Sequence, residues 1–145
     1  MTQKKDKVQA IVYRKNSQSI EYLALKRTKE KGNIWQPVTG NRDPQDTTIS
    51  QCLKRELEEE IGIKNMLKIE EIHQFTYKGS GSKKDIEFNE IVFGVEVEAS
   101  QEIILQSEPY IEHEDYLWTS YDGAFELFDF VEQKEALNKL HKKLS

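Results

Sequence analysis

The sequence holds a single cysteine, Cys52, so no internal disulfide can form. No apolar run approaches the roughly 20 residues that a membrane-spanning helix needs. The opening residues Met1 to Lys7 are polar and lack the apolar stretch of a secretory signal. Positive charge is not in excess: 21 Lys and Arg stand against 26 Asp and Glu, a net charge of −5. That balance argues against a general nucleic-acid binder, which needs a basic footprint. No low-complexity tract, internal repeat or linker divides the chain. The expectation is one domain over residues 1–145 with one core, in the cytoplasm, with neither nucleic acid nor membrane as partner.

What is present alternates in type. Val8 to Arg14 and Glu21 to Arg27 are rich in Val, Ile, Tyr and Leu and read as strands joined by a polar turn. Ile34 to Val38 reads as a short strand. Thr48 is a helix N-cap candidate, with Gln51 three residues on as its capping-box partner. Gly62 is the matching C-cap. Leu67 to Tyr77 and Ile86 to Val97 read as strands flanking the loop Lys78 to Lys84. Tyr116 to Thr119 is another short strand, and Ser120 caps a short helix over Ala124 to Phe128. The terminal helix, Val131 to Leu144, carries Ala136, Leu137, Leu140 and Leu144 on one stripe. Strands, a central helix, more strands and a last helix predict an α/β fold, a mixed sheet covered by helices on both sides.

The central helix carries the chemistry. Glu56, Glu59 and Glu60 sit at offsets of zero, three and four, which places them on one side. At roughly 100° per residue, Glu56 and Glu60 fall within about 40° of the line through Ile49 and Leu53. The inward stripe therefore starts apolar and turns acidic, while Glu58 points away. Glu-rich helix faces are most often solvated. Carboxylates that continue a buried stripe are costly unless a cation neutralises them or protons are taken up. A divalent-metal site is the expectation. Cys52 lies on the apolar side and reads as a small buried residue rather than a nucleophile.

Arg55-Glu56-Leu57-Glu58-Glu59-Glu60-Ile61-Gly62-Ile63 resembles the second half of the Nudix box, R-E-U-x-E-E-x-G-U with U a bulky aliphatic residue, at every specified position. The first half departs. The opening glycine is expected at position 41, which is Asn41, with Gly40 one residue earlier. Counting forward from Gly40, the loop glutamate falls at Asp46, and the gap from there to Arg55 is one residue too long. Trp35-Gln36-Pro37-Val38-Thr39-Gly40 is similar to the W-Q-x-V-T-G lead-in of the bacterial dihydroneopterin triphosphate and dATP pyrophosphohydrolase branch. Glu112-His113-x-x-Tyr116-x-Trp118 resembles a later segment of that branch. The resemblance runs from about Leu23 to Trp118 and implies a Nudix-type α/β/α sandwich, active as a monomer or a homodimer.

For the site, the resemblance implies Mg²⁺, or Mn²⁺, on Glu56, Glu59, Glu60 and the Gly40 carbonyl. Hard oxygen donors suit these ions. Arg55 is expected to orient a glutamate or brace the loop, with Asp46 as the partner to look for; an ordinary pair with Glu59 is its plainer role. Glu56 is the first candidate to hold or deprotonate the attacking water. Glu90 is the second, because the branch has an acidic residue in a comparable strand. Lys26 and Arg27, with Lys29 and Lys31, would form a basic patch suited to polyphosphate, with solvated lysines on an exposed turn an equal alternative for Lys29 and Lys31. Trp35 and Trp118 are candidates to stack on a base or pterin ring, with core packing an equal alternative, as for Tyr77 and Phe88. His113 is a lesser substrate-contact candidate.

The expected activity is hydrolysis of a nucleoside or pterin triphosphate to monophosphate and pyrophosphate. A dinucleoside polyphosphate or nucleotide sugar is the second enzyme reading. A Nudix-fold binding domain without catalysis is the third; the complete set of box carboxylates speaks against it. The chain lacks the alternating Asp/Asn loop of an EF-hand, which sets a structural Ca²⁺ site aside.

Overall fold

The computed structural model describes residues 2–106 and 111–145. Seven strands form one mixed sheet, β1 (Gln3–Lys15), β2 (Ile20–Arg27), β3 (Trp35–Gln36), β4 (Val38–Asn41), β5 (Lys68–Lys78), β6 (Ile86–Val97) and β7 (His113–Thr119). Three helices cover it: α1 (Ile49–Ile61), α2 (Tyr121–Leu127) and α3 (Val131–Leu144).

β1 is central. Along one edge it runs parallel to β6 from Gln3 to Arg14. Along the other edge its partners change: β4 takes Lys7 to Ala10, and β2 takes Tyr13 to Lys15. The sequence expectation of one strand over Ile34 to Val38 is corrected here. Pro37 has no N–H to give a ladder, and the chain changes partner across it. Trp35 and Gln36 pair with β2, whereas Val38 to Asn41 pair with β1. β1 also begins at Gln3, earlier than Val8, because its polar first half is held through the β6 ladder rather than by apolar side chains. β7 likewise begins at His113.

Strand alternation divides the core. Val8, Ala10 and Val12 face α1 and pack with Leu53, Leu57 and Ile61. Ile11 and Tyr13 face the other way and pack with Ala124, Phe128, Leu137 and Leu140 of the α2 and α3 layer. Burying each large aliphatic residue contributes about 2 kcal/mol, so both layers are anchored to the sheet. The result is the expected α/β/α sandwich.

The α1 boundaries follow from its caps. Thr48 Oγ1 accepts from Gln51 N at 3.1 Å. Gln51 Oε1 closes back on Thr47 rather than Thr48, accepting from its N–H at 2.8 Å. At the other end Gly62 takes φ 71°, and its N–H bonds Glu58 O. Only glycine adopts that left-handed conformation without cost. Ser120 caps α2 by accepting from Gly123 N at 3.1 Å.

Candidate active site

α1 presents Cys52, Leu53, Glu56, Leu57, Glu60 and Ile61 as its buried face. Glu56 and Glu60 are only 7% and 8% exposed. The loop strand β4 lies directly against them. A methyl group added at Gly40 would overlap the carboxyl carbon of Glu56, so the glycine is what lets the carboxylate approach the backbone.

Arg55 ties the helix to the loop before it. Its Nε donates to Asp46 Oδ1 at 3.1 Å and its Nη2 to Asp46 Oδ2 at 2.9 Å. Nη2 also reaches Asn41 O at 2.9 Å. Nη1 serves Glu56 Oε1 at 3.0 Å and Glu59 Oε2 at 3.1 Å. The two plain alternatives for Arg55 therefore coexist: it braces the loop and pairs with Glu59. Because Arg55 offers a cation one turn earlier, the half-exposed Glu59 turns to it instead of joining Glu56 and Glu60. Of the three box glutamates, two line the cleft.

His113 stands behind Glu60. Its Nδ1 lies 3.3 Å from Glu60 Oε2, and its Nε2 lies 3.2 Å from Gln36 Nε2. The Nδ1–Oε2 approach lacks hydrogen-bond geometry, and both atoms are buried without a hydrogen-bond partner among the described residues. Buried polar atoms in that condition are expensive.

Beside these carboxylates is a polar cavity of about 410 Å³, with Lys7, Arg27, Lys31 and Lys83 on its walls. A second cavity of about 490 Å³ shares Lys7, Arg27, Gln36 and Thr39 with it, so the two adjoin. Its other walls are mainly apolar, from Ile34, Phe75, Tyr77, Phe130 and Val131.

The sequence matches the NUDIX domain profile over residues 3–140. The chain belongs to the Nudix hydrolase family. No curated protein sequence matches it. Solved structures with the same fold include a Caenorhabditis elegans Ap4A hydrolase binary complex, 23% identical over 97% of each chain with a TM-score of 0.80. The Escherichia coli dihydroneopterin triphosphate pyrophosphohydrolase is 17% identical over 99% of each chain, with a TM-score of 0.77. The Nudix domain of Shewanella oneidensis NrtR, solved with ADP-ribose, is 14% identical over 100% of this chain and 91% of its own, with a TM-score of 0.79.

Charge at the Nudix box is set by burial. Burial pushes the Glu56 carboxyl up to about 7, against the opposing pull of Arg55, and Glu60 adds to the rise. Hydrogen bonds from Arg55 and the Asp43 amide hold Asp46 down at about 2. Burial lowers the Lys7 ammonium, while the nearby Glu90 opposes that. Burial raises Cys52 to about 12, so it stays a thiol. A buried carboxyl tuned near neutrality, an orphaned Glu60 oxygen and a glycine that admits close approach are a donor set fit for a hard divalent cation.

The remaining candidates fall in different places. Glu90 is buried, 5% exposed, with Oε2 taking Gln9 Nε2 at 2.6 Å and Oε1 taking the Tyr77 hydroxyl at 3.1 Å. Arg27 lines both cavities and reaches Glu112 at 3.3 Å; Lys26 pairs instead with Glu114 at 3.7 Å. Trp35 packs on the α3-side core beside Phe128, and Trp118 lies under the Arg14 guanidinium at 4.3 Å. Neither tryptophan lines the two cavities. The residues that sequence reasoning missed are Lys7, Gln9, Gln36, Phe75, Phe130 and Gln133. One signal was visible: Gln9 interrupts an otherwise apolar strand, Val8 to Tyr13.

Among the described residues, one trio of His, Cys, Asp or Glu ligand atoms converges within 4.8 Å, and it lies elsewhere: His73, Glu132 and Glu135, where α3 meets β5. The Lys139 ammonium, 2.8 Å from His73 Nδ1, already supplies the cation there.

Asp46→Ala tests the brace. Asp46 titrates below its ordinary value of 3.8, so its contribution is full above that pH and is lost as pH falls toward 2. The variant should unfold at lower urea concentration than the parent at pH 7, with the difference closing in acid. Equal midpoints at pH 7 would remove the brace from the account.

Proposed function

We propose that the chain hydrolyses a nucleoside or pterin triphosphate, adding water across a phosphoanhydride bond to release the monophosphate and pyrophosphate. The observation that carries this is the paired cavity: a chamber at the box carboxylates, with Lys7, Arg27, Lys31 and Lys83 on its walls beside Asp43 and Glu112, adjoins an aromatic-walled chamber. Polyphosphate suits the first and a planar ring the second. Two structural neighbours, a dihydroneopterin triphosphate pyrophosphohydrolase and an Ap4A hydrolase, agree with a polyphosphate ester of a heterocycle.

Glu56, Glu60 and the Gly40 carbonyl would hold Mg²⁺, with Glu59 joining once it leaves Arg55. Bound there, the ion would neutralise charge on the non-bridging oxygens and help activate water. The other work falls to side chains. Lys7, Arg27, Lys31 and Lys83 orient the phosphates. Glu56, which lines the same cavity, accepts the proton of the attacking water. Arg55 keeps Glu56 and the loop in register. Glu90, with both oxygens engaged by neighbours, serves the cavity wall better than proton transfer.

The test is pyrophosphate and phosphate release from dNTPs, dihydroneopterin triphosphate, ADP-ribose and Ap4A, with Mg²⁺ and with EDTA. Metal-dependent pyrophosphate release from a triphosphate is expected. Release only from a linked diphosphate moves the substrate class; binding without turnover favours a sensor domain. Glu60→Gln and Glu59→Gln should each remove at least about 99% of turnover, since lost charge stabilisation of this kind costs two to three orders of magnitude. Circular dichroism should be unchanged. Normal turnover in both variants would sink the metal-site assignment.

A further inference from the structure

The apolar cavity contains a polar edge that no neighbouring side chain completes. Gln9 is 1% exposed, yet its Oε1 has no hydrogen-bond partner among the described residues. Its orientation is chemically fixed. Nε2 lies 2.6 Å from Glu90 Oε2, and a carboxylate oxygen accepts, so the amide nitrogen must face it. The Tyr77 hydroxyl holds the other Glu90 oxygen at 3.1 Å, which prevents the carboxylate from turning away. Gln9 lines the cavity, and Oε1 is left as its free acceptor. Gln133 lines the same cavity and is 4% exposed. Its Oε1 accepts from Phe130 N at 3.5 Å, and its Nε2 has no hydrogen-bond acceptor among the described residues. An acceptor and a donor thus share a chamber walled by Phe75, Tyr77 and Phe130.

We infer that Gln9 and Gln133 select a planar heterocycle presenting an exocyclic amino group beside an unprotonated ring nitrogen. The amino group donates to Gln9 Oε1, and the ring nitrogen accepts from Gln133 Nε2. The aromatic walls take the faces of the ring. Glu90 acts here as the positioning residue for Gln9. This rests on the reading of the cleft as a nucleotide site. A ring with a keto oxygen and no amino group sets lone pair against lone pair at Gln9 and leaves a buried acceptor unpaired, which typically costs about tenfold to a hundredfold in affinity.

The experiment compares AMP and GMP with IMP, which lacks an amino group, by calorimetry on the full chain in EDTA, so that no hydrolysis is needed. Tighter binding of AMP or GMP than IMP by about tenfold or more is expected. IMP binding as well as the better of the two would overturn the inference. In parallel, kcat/KM with Mg²⁺ for dATP, dGTP and dITP separates the layers. Turnover of all three at equal rates keeps the hydrolase and discards the amino-group selection. Neither binding nor turnover of any of them discards both. Gln9→Leu should compress the binding ratio toward one, and Gln133→Met should do so independently if the first variant does not fold. A ratio unchanged in a folded variant assigns that glutamine to wall packing and overturns its role.

Discussion

Glu56→Gln is expected to melt at a higher temperature than the parent at pH 8 without divalent metal, and to hydrolyse nothing measurable. Both effects have one cause. Burial raises the folded-state carboxyl from its ordinary 4.5 to about 7. The folded chain then binds this proton more tightly than the unfolded chain does. Stability from this group is full below about pH 4.5 and falls as pH rises toward 7. At pH 8 the metal-free protein carries a charge it holds poorly. The neutral isostere removes that cost, about 2 kcal/mol after allowance for water reaching the cleft, or about 5 °C in melting temperature. Arg55 keeps a neutral acceptor in the amide oxygen, along with Asp46, Glu59 and the Asn41 carbonyl. Melting curves in EDTA at pH 5 and pH 8 check the sign: the gap should open with rising pH. Mg²⁺ should raise the parent's melting temperature at pH 8 and hardly move the variant's. A variant less stable than the parent at pH 8 would show that the Arg55 pair outweighs desolvation.

Gly40→Ala should lower turnover by at least about a hundredfold and destabilise the fold by about 1–3 kcal/mol. The added methyl overlaps the Glu56 carboxyl, so that side chain must move. β4 is fixed by its ladder to β1, with Gly40 opposite Val8, and α1 is held by caps at both ends. Relief must come by swinging Glu56 out of the cleft. A double-mutant cycle separates this from a generic strand effect. In a Glu56→Ala background the three atoms nearest to the methyl are gone, and most of its cost should vanish, giving a coupling energy above about 1 kcal/mol. An additive cycle would mean that the glycine matters to the strand rather than to the carboxylate.

What the sequence makes legible is local. Thr48, Gly62 and the stripe Ile49, Leu53, Glu56, Glu60 fix α1 because caps and periodicity act within a few residues. The direction of Glu59 was not readable, because it depends on how Arg55 divides five donors among Asp46, Asn41, Glu56 and Glu59. The ring chamber was less readable still. Phe130 and Gln133 begin α3, Phe75 and Tyr77 lie on β5, and Gln9 lies on β1; no spacing relates them. Trp35 and Trp118 attract notice as large aromatics, yet the pleat turns them toward packing positions. Pro37 did carry a signal: a proline inside a presumed strand marks the place where its partners change.

The parallel pairing of β1 with β6 has a consequence for how the chain acquires its site. Gln9 and Glu90 are 81 residues apart in sequence, and their strands cannot register until both exist. Closing so long a loop costs entropy before any contact repays it, and such topologies fold slowly. The box helix, with both caps and its Arg55 brace drawn from residues 41 to 62, can assemble from local sequence well before that. On the ribosome, therefore, the acidic helix would be shaped while the cleft that gives it a substrate is still missing. A nascent chain ending before β6 would carry box carboxylates without the Gln9–Glu90 wall, and the ring chamber would be complete only once Phe130 and Gln133 at the start of α3 had joined it.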